Sequence, residues 1–301
     1  MCMRPPLRLC CMAIFRSPRQ GHRLRLLAVV LLAVTITGCS HLFFLPEQGH
    51  RWDPKEAGIV YEDVWFEADD GVTLHGWFLP AQEPRGTVVF LHGNAQNVST
   101  HIGAVYWLPE RGFNVFMPDY RGFGLSSGSP DFVGVHRDAE AALAVVVERD
   151  DVDSERVAVL GQSLGGSVAI TTVADHGEDY GVAALIADSA FSSYRGIARE
   201  KFGEFWLTWP FQWPLSLTIS DRFAPVDHIA DVSPIPVLLI AGDDDFVVPP
   251  HHSRELYQAA RPPVEIWRYR GVGHGQAPTR ADVRRALVAW LDEVLEPKPN
   301  D

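Results

Sequence analysis

The chain has 301 residues, 47% hydrophobic and 21% charged, which fits a globular protein with a sizeable core and excludes a disordered one. The formal charge of −12 understates the acidity of the body: the first 38 residues carry six arginines and no acid, leaving −18 for the remainder, a charge that repels nucleic acid and anionic head groups. All four cysteines (Cys2, Cys10, Cys11, Cys39) lie in the first 39 residues, so the rest of the chain can form neither an internal disulfide nor a thiolate metal site.

The first element reads as an export signal. A basic stretch ending in His22-Arg23-Leu24-Arg25 precedes the apolar run Leu26 to Ile36, and Thr37-Gly38-Cys39 follows. As a helix that run is too short for the roughly 30 Å of hydrocarbon in a bilayer. Residues 1–38 resemble a bacterial lipoprotein signal peptide, which implies that Cys39 becomes the lipidated first residue. Ser40 after it resembles the outer-membrane sorting pattern, so the expected location is the bacterial cell envelope, lipid-anchored at the outer membrane. Residues 39–54 bear Pro, Gly and His without periodicity and read as a flexible tether, with the folded domain over 55–301.

Two strand-like runs come next, Ile59 to Phe66 and Val72 to Leu79, joined by the hairpin signal Asp69-Asp70-Gly71. Thr87 to Leu91 is a buried strand ending in His92-Gly93-Asn94-Ala95, and a helical stretch leads on to Arg111. Phe113 to Met117, Arg156 to Leu160, Val182 to Ala187, Pro236 to Ala241 and Val264 to Tyr269 are further apolar strands. Helices are expected over about 131–148 and 278–295. Strands apolar on both faces and alternating with helices predict an α/β fold, a mostly parallel, doubly wound sheet with the opening hairpin as an antiparallel edge. Residues 190–225 break this rhythm with nine aromatics, among them Phe202, Phe205, Trp206, Trp209 and Trp213 at helical spacing. They read as a short aromatic-rich cap insertion that folds over the strand ends and lines a pocket.

The chemistry centres on Gly161-Gln162-Ser163-Leu164-Gly165, between a strand and a helix. This is the pattern of a nucleophile elbow, in which Ser163 is forced toward φ > 0 and glycines on either side avoid backbone collisions. A serine hydroxyl needs a base and a group to orient it. On the loops at the strand ends, His274 in Gly271-Val272-Gly273-His274-Gly275 supplies the base. Asp243, Asp244 and Asp245 offer the acid, with Asp245 preferred and Asp244 the alternative. His251 and His252 are adjacent, so their side chains are expected to diverge, and no metal is expected. Gly122-Phe123-Gly124 lacks the third glycine of a dinucleotide loop. No cofactor is required.

Six segments, FLHGNAQN (90–97), DYRGFGLSSG (119–128), GQSLGG (161–166), DSAFSS (188–193), GDDDFVVP (242–249) and GVGHG (271–275), together resemble the α/β-hydrolase superfamily, and within it the BEM46-like serine hydrolases, over roughly residues 55–295. The resemblance implies a Ser163, Asp245, His274 triad, with Asp245 placed by the pattern Gly-x-x-Asp-x-x-Val-Pro. An oxyanion hole follows from the Leu164 N–H and, in the His-Gly-Asn turn, the Asn94 N–H. His92 is expected to brace that turn, and Asp119 and Arg121 to form an ion pair beside the elbow. A serine nucleophile implies an acyl-enzyme, so the expected activity is hydrolysis of small carboxylic esters, with a peptidase or amidase of the same fold, or a non-catalytic membrane-tethered binding protein, as alternatives.

Overall fold

Residues 43–296 are described by the computed structural model and fall within one unit, Ser40–Asp301; the leader 1–38, Cys39 and the three residues after it lie outside the described residues. Eight strands make the main sheet: β1 (Glu62–Glu67), β2 (Thr73–Leu79), β3 (Gly86–Leu91), β4 (Phe113–Asp119), β5 (Val157–Gln162), β6 (Val182–Asp188), β7 (Val237–Gly242) and β8 (Val264–Tyr269). Their spatial order is β8-β7-β6-β5-β3-β4-β2-β1. Strands β3 to β8 run parallel, and β2 is antiparallel to both its neighbours, so the opening hairpin forms the antiparallel edge. The principal helices are α1 (Phe132–Val147), α2 (Leu164–His176), α3 (Tyr194–Glu204), α4 (Gln212–Ser216), α5 (His251–Ala259) and α6 (Ala281–Val294). Among the described residues no helix is long and apolar enough to cross a membrane.

The continuous apolar runs follow from burial on two sides. In β5, Val157 and Val159 join the core that holds Val135, Ala139 and Val168 from α1 and α2. Ala158 and Leu160 join the opposite core, with Leu287, Trp290 and Leu291 of α6. A strand with no solvent face has no reason to alternate. Helix α1 starts where Asp131 caps it, its carboxylate accepting from the N–H groups of Val133 (2.9 Å) and Gly134 (3.0 Å). The helix expected ahead of Arg111 is instead a four-residue helix, Val98–His101, followed by 3-10 turns. Val98, Thr100, Ile102 and Val105 are β-branched, and Gly103 adds backbone entropy, so helix propensity there is poor.

Register brings the strand ends level. Leu91 lies opposite Gly161, Gln162 opposite Asp188, Asp188 opposite Ile240, and Gly242 opposite Tyr269. The loops leaving these positions all open at the carboxyl edge of the parallel strands.

Between β6 and β7 the insertion is present, and most of its aromatics between Phe205 and Trp213 face solvent. Helix α3 turns Tyr194, Ile197 and Ala198 inward and ends at Phe205, and the following Trp209–Phe211 and α4 are short pieces. Pro210 and Pro214 interrupt the helical spacing that the aromatics suggest. As a result Trp206, Trp209 and Trp213 are exposed, Trp206 at 74%, whereas Phe191 and Tyr194 are buried in the core and Phe202 and Phe223 pack partly against it.

The tether reading also fails from residue 43 onward. Phe44 is buried, 5.3 Å from the Phe132 ring, and Phe43 packs against Phe191 and Tyr194. Leu45–Pro46 pairs in parallel with Ala95–Gln96, and Asn97 Nδ2 donates to the carbonyls of Glu47 (3.0 Å) and Gly49 (2.6 Å). Trp52 Nε1 donates to Ser99 O. Isolated aromatic anchors and one bridging asparagine have no period, which is why the segment reads as loop. Phe44→Ala should therefore lower unfolding stability by about 3–5 kcal/mol, the usual cost of emptying a buried phenylalanine site. A denaturant midpoint equal to wild type would show that the segment hangs free.

Candidate active site

Ser163 sits at φ 56°, ψ −115°, between the last residue of β5 and the first of α2. A non-glycine residue in that region carries strain, and the neighbouring glycines permit it. A Cβ on Gly161 would lie 2.2 Å from Gly165 O, and one on Gly165 would lie 1.9 Å from Leu91 O, so β5, β3 and α2 meet as closely as bare backbone allows. The turn is held by Ser163 N–H donating to Asp188 O (2.8 Å) and by Ser167 N–H donating to Ser163 O (3.1 Å). Leu164 opens the helix, so its N–H is among those with no partner four residues back.

Of the three aspartates after β7, the structure joins one to the histidine. His274 Nδ1 lies 2.8 Å from Asp245 Oδ2, and Asp245 Oδ1 accepts from the N–H groups of Val247 (2.9 Å) and Val248 (2.8 Å). Asp245 is buried and His274 partly exposed. An ionised Asp245 accepts the Nδ1 hydrogen, which leaves Nε2 of a neutral ring with its lone pair free to take a proton. Asp243 is occupied by Arg268 and Asp244 is exposed.

The elbow and the histidine loop are tied by residues that sequence reasoning missed. Gln162, just before Ser163, donates from Nε2 to Gly275 O, just after His274, at 3.2 Å, and to Asp188 Oδ2 at 3.2 Å. Gly275 N–H donates to Ser189 Oγ (3.2 Å). His101 closes the other side of Gln162, 3.3 Å from its Oε1. Burial, with His92 alongside, lowers the His101 ring to about 4, so it stays neutral near pH 7. Gln162 occupies a variable position of the elbow pattern, and His101 lies in a stretch with no period, so neither carried a signal.

The His92-Gly93-Asn94 turn abuts the elbow: a Cβ on Gly93 would lie 3.7 Å from Ser163 Cβ. His92 is fully buried, with Nδ1 2.7 Å from Gly93 O, and so braces the turn. The Asn94 side chain faces the docked N-terminal segment, Nδ2 donating to Phe43 O (2.7 Å) and the Asn94 carbonyl accepting from Leu45 N–H (3.2 Å). Asp119 and Arg121 do not pair with each other. Asp119 contacts His50 Nε2 (3.1 Å) and accepts from Val98 N–H, whereas Arg121 is held by Asp138 and Asp70. Strand β4 ends at Asp119 and the chain turns at Arg121, so the two side chains reach different partners. His251 and His252 do not diverge either. At the first turn of α5 both side chains lean toward the helix N-terminus, and their rings stack 4.3 Å apart at 29°.

The buried Asp188 has a measurable consequence. Desolvation pushes its carboxyl up to about 6, against the opposing hydrogen bonds from Gln162 and Ser189. A folded-state value above the unfolded one means that the native state holds the proton more tightly, so stability falls as pH rises from about 4 to 6. Measured against Asp188→Asn, which has no such titration, wild type should lose about 2–3 kcal/mol of relative stability between pH 4 and pH 7. A pH-independent difference would refute the assignment.

Comparisons with known proteins agree with this architecture. Residues 99–298 match the prolyl oligopeptidase family. The chain is 43% identical to the uncharacterized protein YfhR of Escherichia coli (strain K12) over 257 residues, covering 83% of this chain and 85% of that one. It is 31% identical to protein bem46 of Schizosaccharomyces pombe, covering 65% of this chain and 64% of that one. Among solved structures, the esterase Pf2001 of Pyrococcus furiosus superposes with a TM-score of 0.65 at 24% identity, covering 84% of this chain and 96% of that one. With a parallel sheet, an elbow at the end of β5 and relatives of this kind, the chain belongs to the prolyl oligopeptidase family, within the α/β-hydrolase superfamily.

Proposed function

We propose that this hydrolase is a serine esterase that cleaves carboxylic esters through an acyl-enzyme, with Ser163 as nucleophile, His274 as base and Asp245 as its orienting acid. The observation that carries the reading is the His274 Nδ1 to Asp245 Oδ2 contact of 2.8 Å, held to the strained Ser163 turn through Gln162 and Gly275. In this mechanism Ser163 Oγ attacks the acyl carbon and its proton passes to His274 Nε2. The carbonyl oxygen becomes an oxyanion, facing the N–H groups of Leu164 and Asn94. Collapse expels the alcohol, which takes the proton from His274. Water then gives a proton to His274 and attacks the acyl ester, and collapse of the second tetrahedral intermediate releases the acid as His274 returns that proton to Ser163 Oγ, with Asp245 stabilising the imidazolium in both halves. The likeness to the Pyrococcus furiosus esterase supports the choice of ester, and the prolyl oligopeptidase match supports amide cleavage as a second reading.

A fluorophosphonate probe should label wild type and leave Ser163→Ala unlabelled. Asp245→Asn should lower kcat/KM by about 10³–10⁴ while Asp244→Asn stays close to wild type. The reverse order of the two variants would transfer the role to Asp244. Turnover of p-nitrophenyl esters without turnover of aminoacyl-anilides separates esterase from peptidase.

The proposal extends to location. Cys39 as a lipidated residue would attach the hydrolase to the outer membrane by several acyl chains, each buried CH₂ worth about 0.8 kcal/mol, so attachment should survive high salt. In bacterial cells the wild type should fractionate with membranes, and Cys39→Ser should block processing or free the protein. Equal solubility of the two after export would reduce the leader to a plain secretory signal.

A further inference from the structure

Away from the catalytic residues, three side chains converge where the cap meets the helix after the acid loop. Glu200 projects from α3, and His251 and His252 are the first two residues of α5. Glu200 Oε1 lies 3.1 Å from His251 Nε2, and Glu200 Oε2 lies 3.4 Å from His252 Nε2. One ligand atom from each of the three residues can be chosen so that all lie within 4.8 Å of one another.

His252 is the informative member. Its ring is buried and its Nε2 has no hydrogen-bond partner. On the other side of the ring, Nδ1 is 2.8 Å from Ser192 Oγ, whose own hydrogen goes to Glu255 Oε2 at 2.6 Å. In one tautomer Ser192 Oγ accepts from Nδ1–H, and the Nε2 lone pair faces the Glu200 carboxylate, where a cation would match it. Ser192 N–H donates to Nδ1 at 3.2 Å in the other tautomer, in which Nε2 carries the hydrogen and directs it toward Glu200 Oε2, 3.4 Å away. A chain from imidazole through a hydroxyl to a carboxylate is the outer support that metal-binding histidines use to fix their tautomer.

We propose that Glu200, His251 and His252 form a transition-metal site, fitted best by Zn²⁺, that fastens the cap helix α3 to α5. Two imidazoles and one carboxylate suit zinc rather than magnesium or calcium, which prefer oxygen. Ligands at about 2.1 Å around a tetrahedral ion stand about 3.4 Å apart, the separation Glu200 Oε2 already has from His252 Nε2. Glu200 and His251 are partly exposed, so the fourth position opens to water. Helix α5 begins six residues after Asp245, and the cap already touches that loop where Lys201 Nζ donates to Phe246 O (3.0 Å). A bound ion would hold the cap and the acid loop as one body.

The test is a titration of the full chain with Co²⁺ as a spectroscopic probe and with Zn²⁺ by calorimetry. Wild type should show the visible band of tetrahedral Co²⁺, displaced by Zn²⁺, and a Zn²⁺-dependent rise in melting temperature. Glu200→Gln and His251→Ala should each weaken binding at least about tenfold and abolish that rise. Their melting temperatures in chelator, matched to wild type, confirm that they fold. The leader cysteines are common to all three proteins, so the difference reads this site alone. Equal binding by wild type and both variants would overturn the proposal and direct attention to another group, such as His50, His75 and Asp119. Absence of tetrahedral Co²⁺ in wild type would also overturn it.

Discussion

The close approach of three backbones at Gly161 and Gly165 is the constraint on which the rest depends. Strand β5 must end within backbone contact of α2, and α2 within backbone contact of β3, before Ser163 can be held at φ 56°. A residue held there costs about 1–3 kcal/mol, which the surrounding core and the hydrogen bonds of the turn must offset. The parallel sheet makes this possible. Its register puts Leu91, Gln162, Asp188 and Gly242 near one edge, so the loops that carry His92, Ser163, Ser189 and Asp245 begin from a common rigid line.

Buried polar groups then set the positions of the loops. Gln162 and Asp188 form a small network under the nucleophile turn, reaching Gly275 on one side and His101 on the other. Such a network loses geometry if any member is removed, because each buried donor or acceptor has few alternatives. Asp119 has a similar place under the neighbouring loop. Burial pushes its carboxyl upward, but hydrogen bonds from His50, His92 and the Val98 N–H outweigh that and hold it below the usual range. His50 comes from the docked N-terminal segment, so that segment contributes to the support of the His92-Gly93-Asn94 turn as well as covering the core.

Two surfaces take different roles from those their composition suggests. The cap keeps its inward face for Tyr194, Ile197 and Ala198 and turns its tryptophans to solvent. The N-terminal segment, polar and aperiodic, is fixed by Phe44, Trp52 and the Asn97 amide.

The amino-acid sequence alone determined the strand series, the antiparallel edge, the elbow and the three loops that hold Ser163, Asp245 and His274. Each of these rests on a local cause: a two-sided apolar run, a glycine where a Cβ would collide, a turn dipeptide. Which of three consecutive aspartates meets His274 was suggested by a pattern, but it is decided by Asp245 Oδ1 capturing the N–H groups of Val247 and Val248, which aims Oδ2 at the ring. The Gln162 and His101 bridges, the separate partners of Asp119 and Arg121, the stacking of His251 on His252 and the docking of residues 43–54 were decided only in the tertiary structure. Apart from that stacking, which the first turn of α5 sets by leaning both side chains the same way, their partners lie tens of residues away in the chain, and contacts made by single side chains across such distances leave no period and no spacing to read.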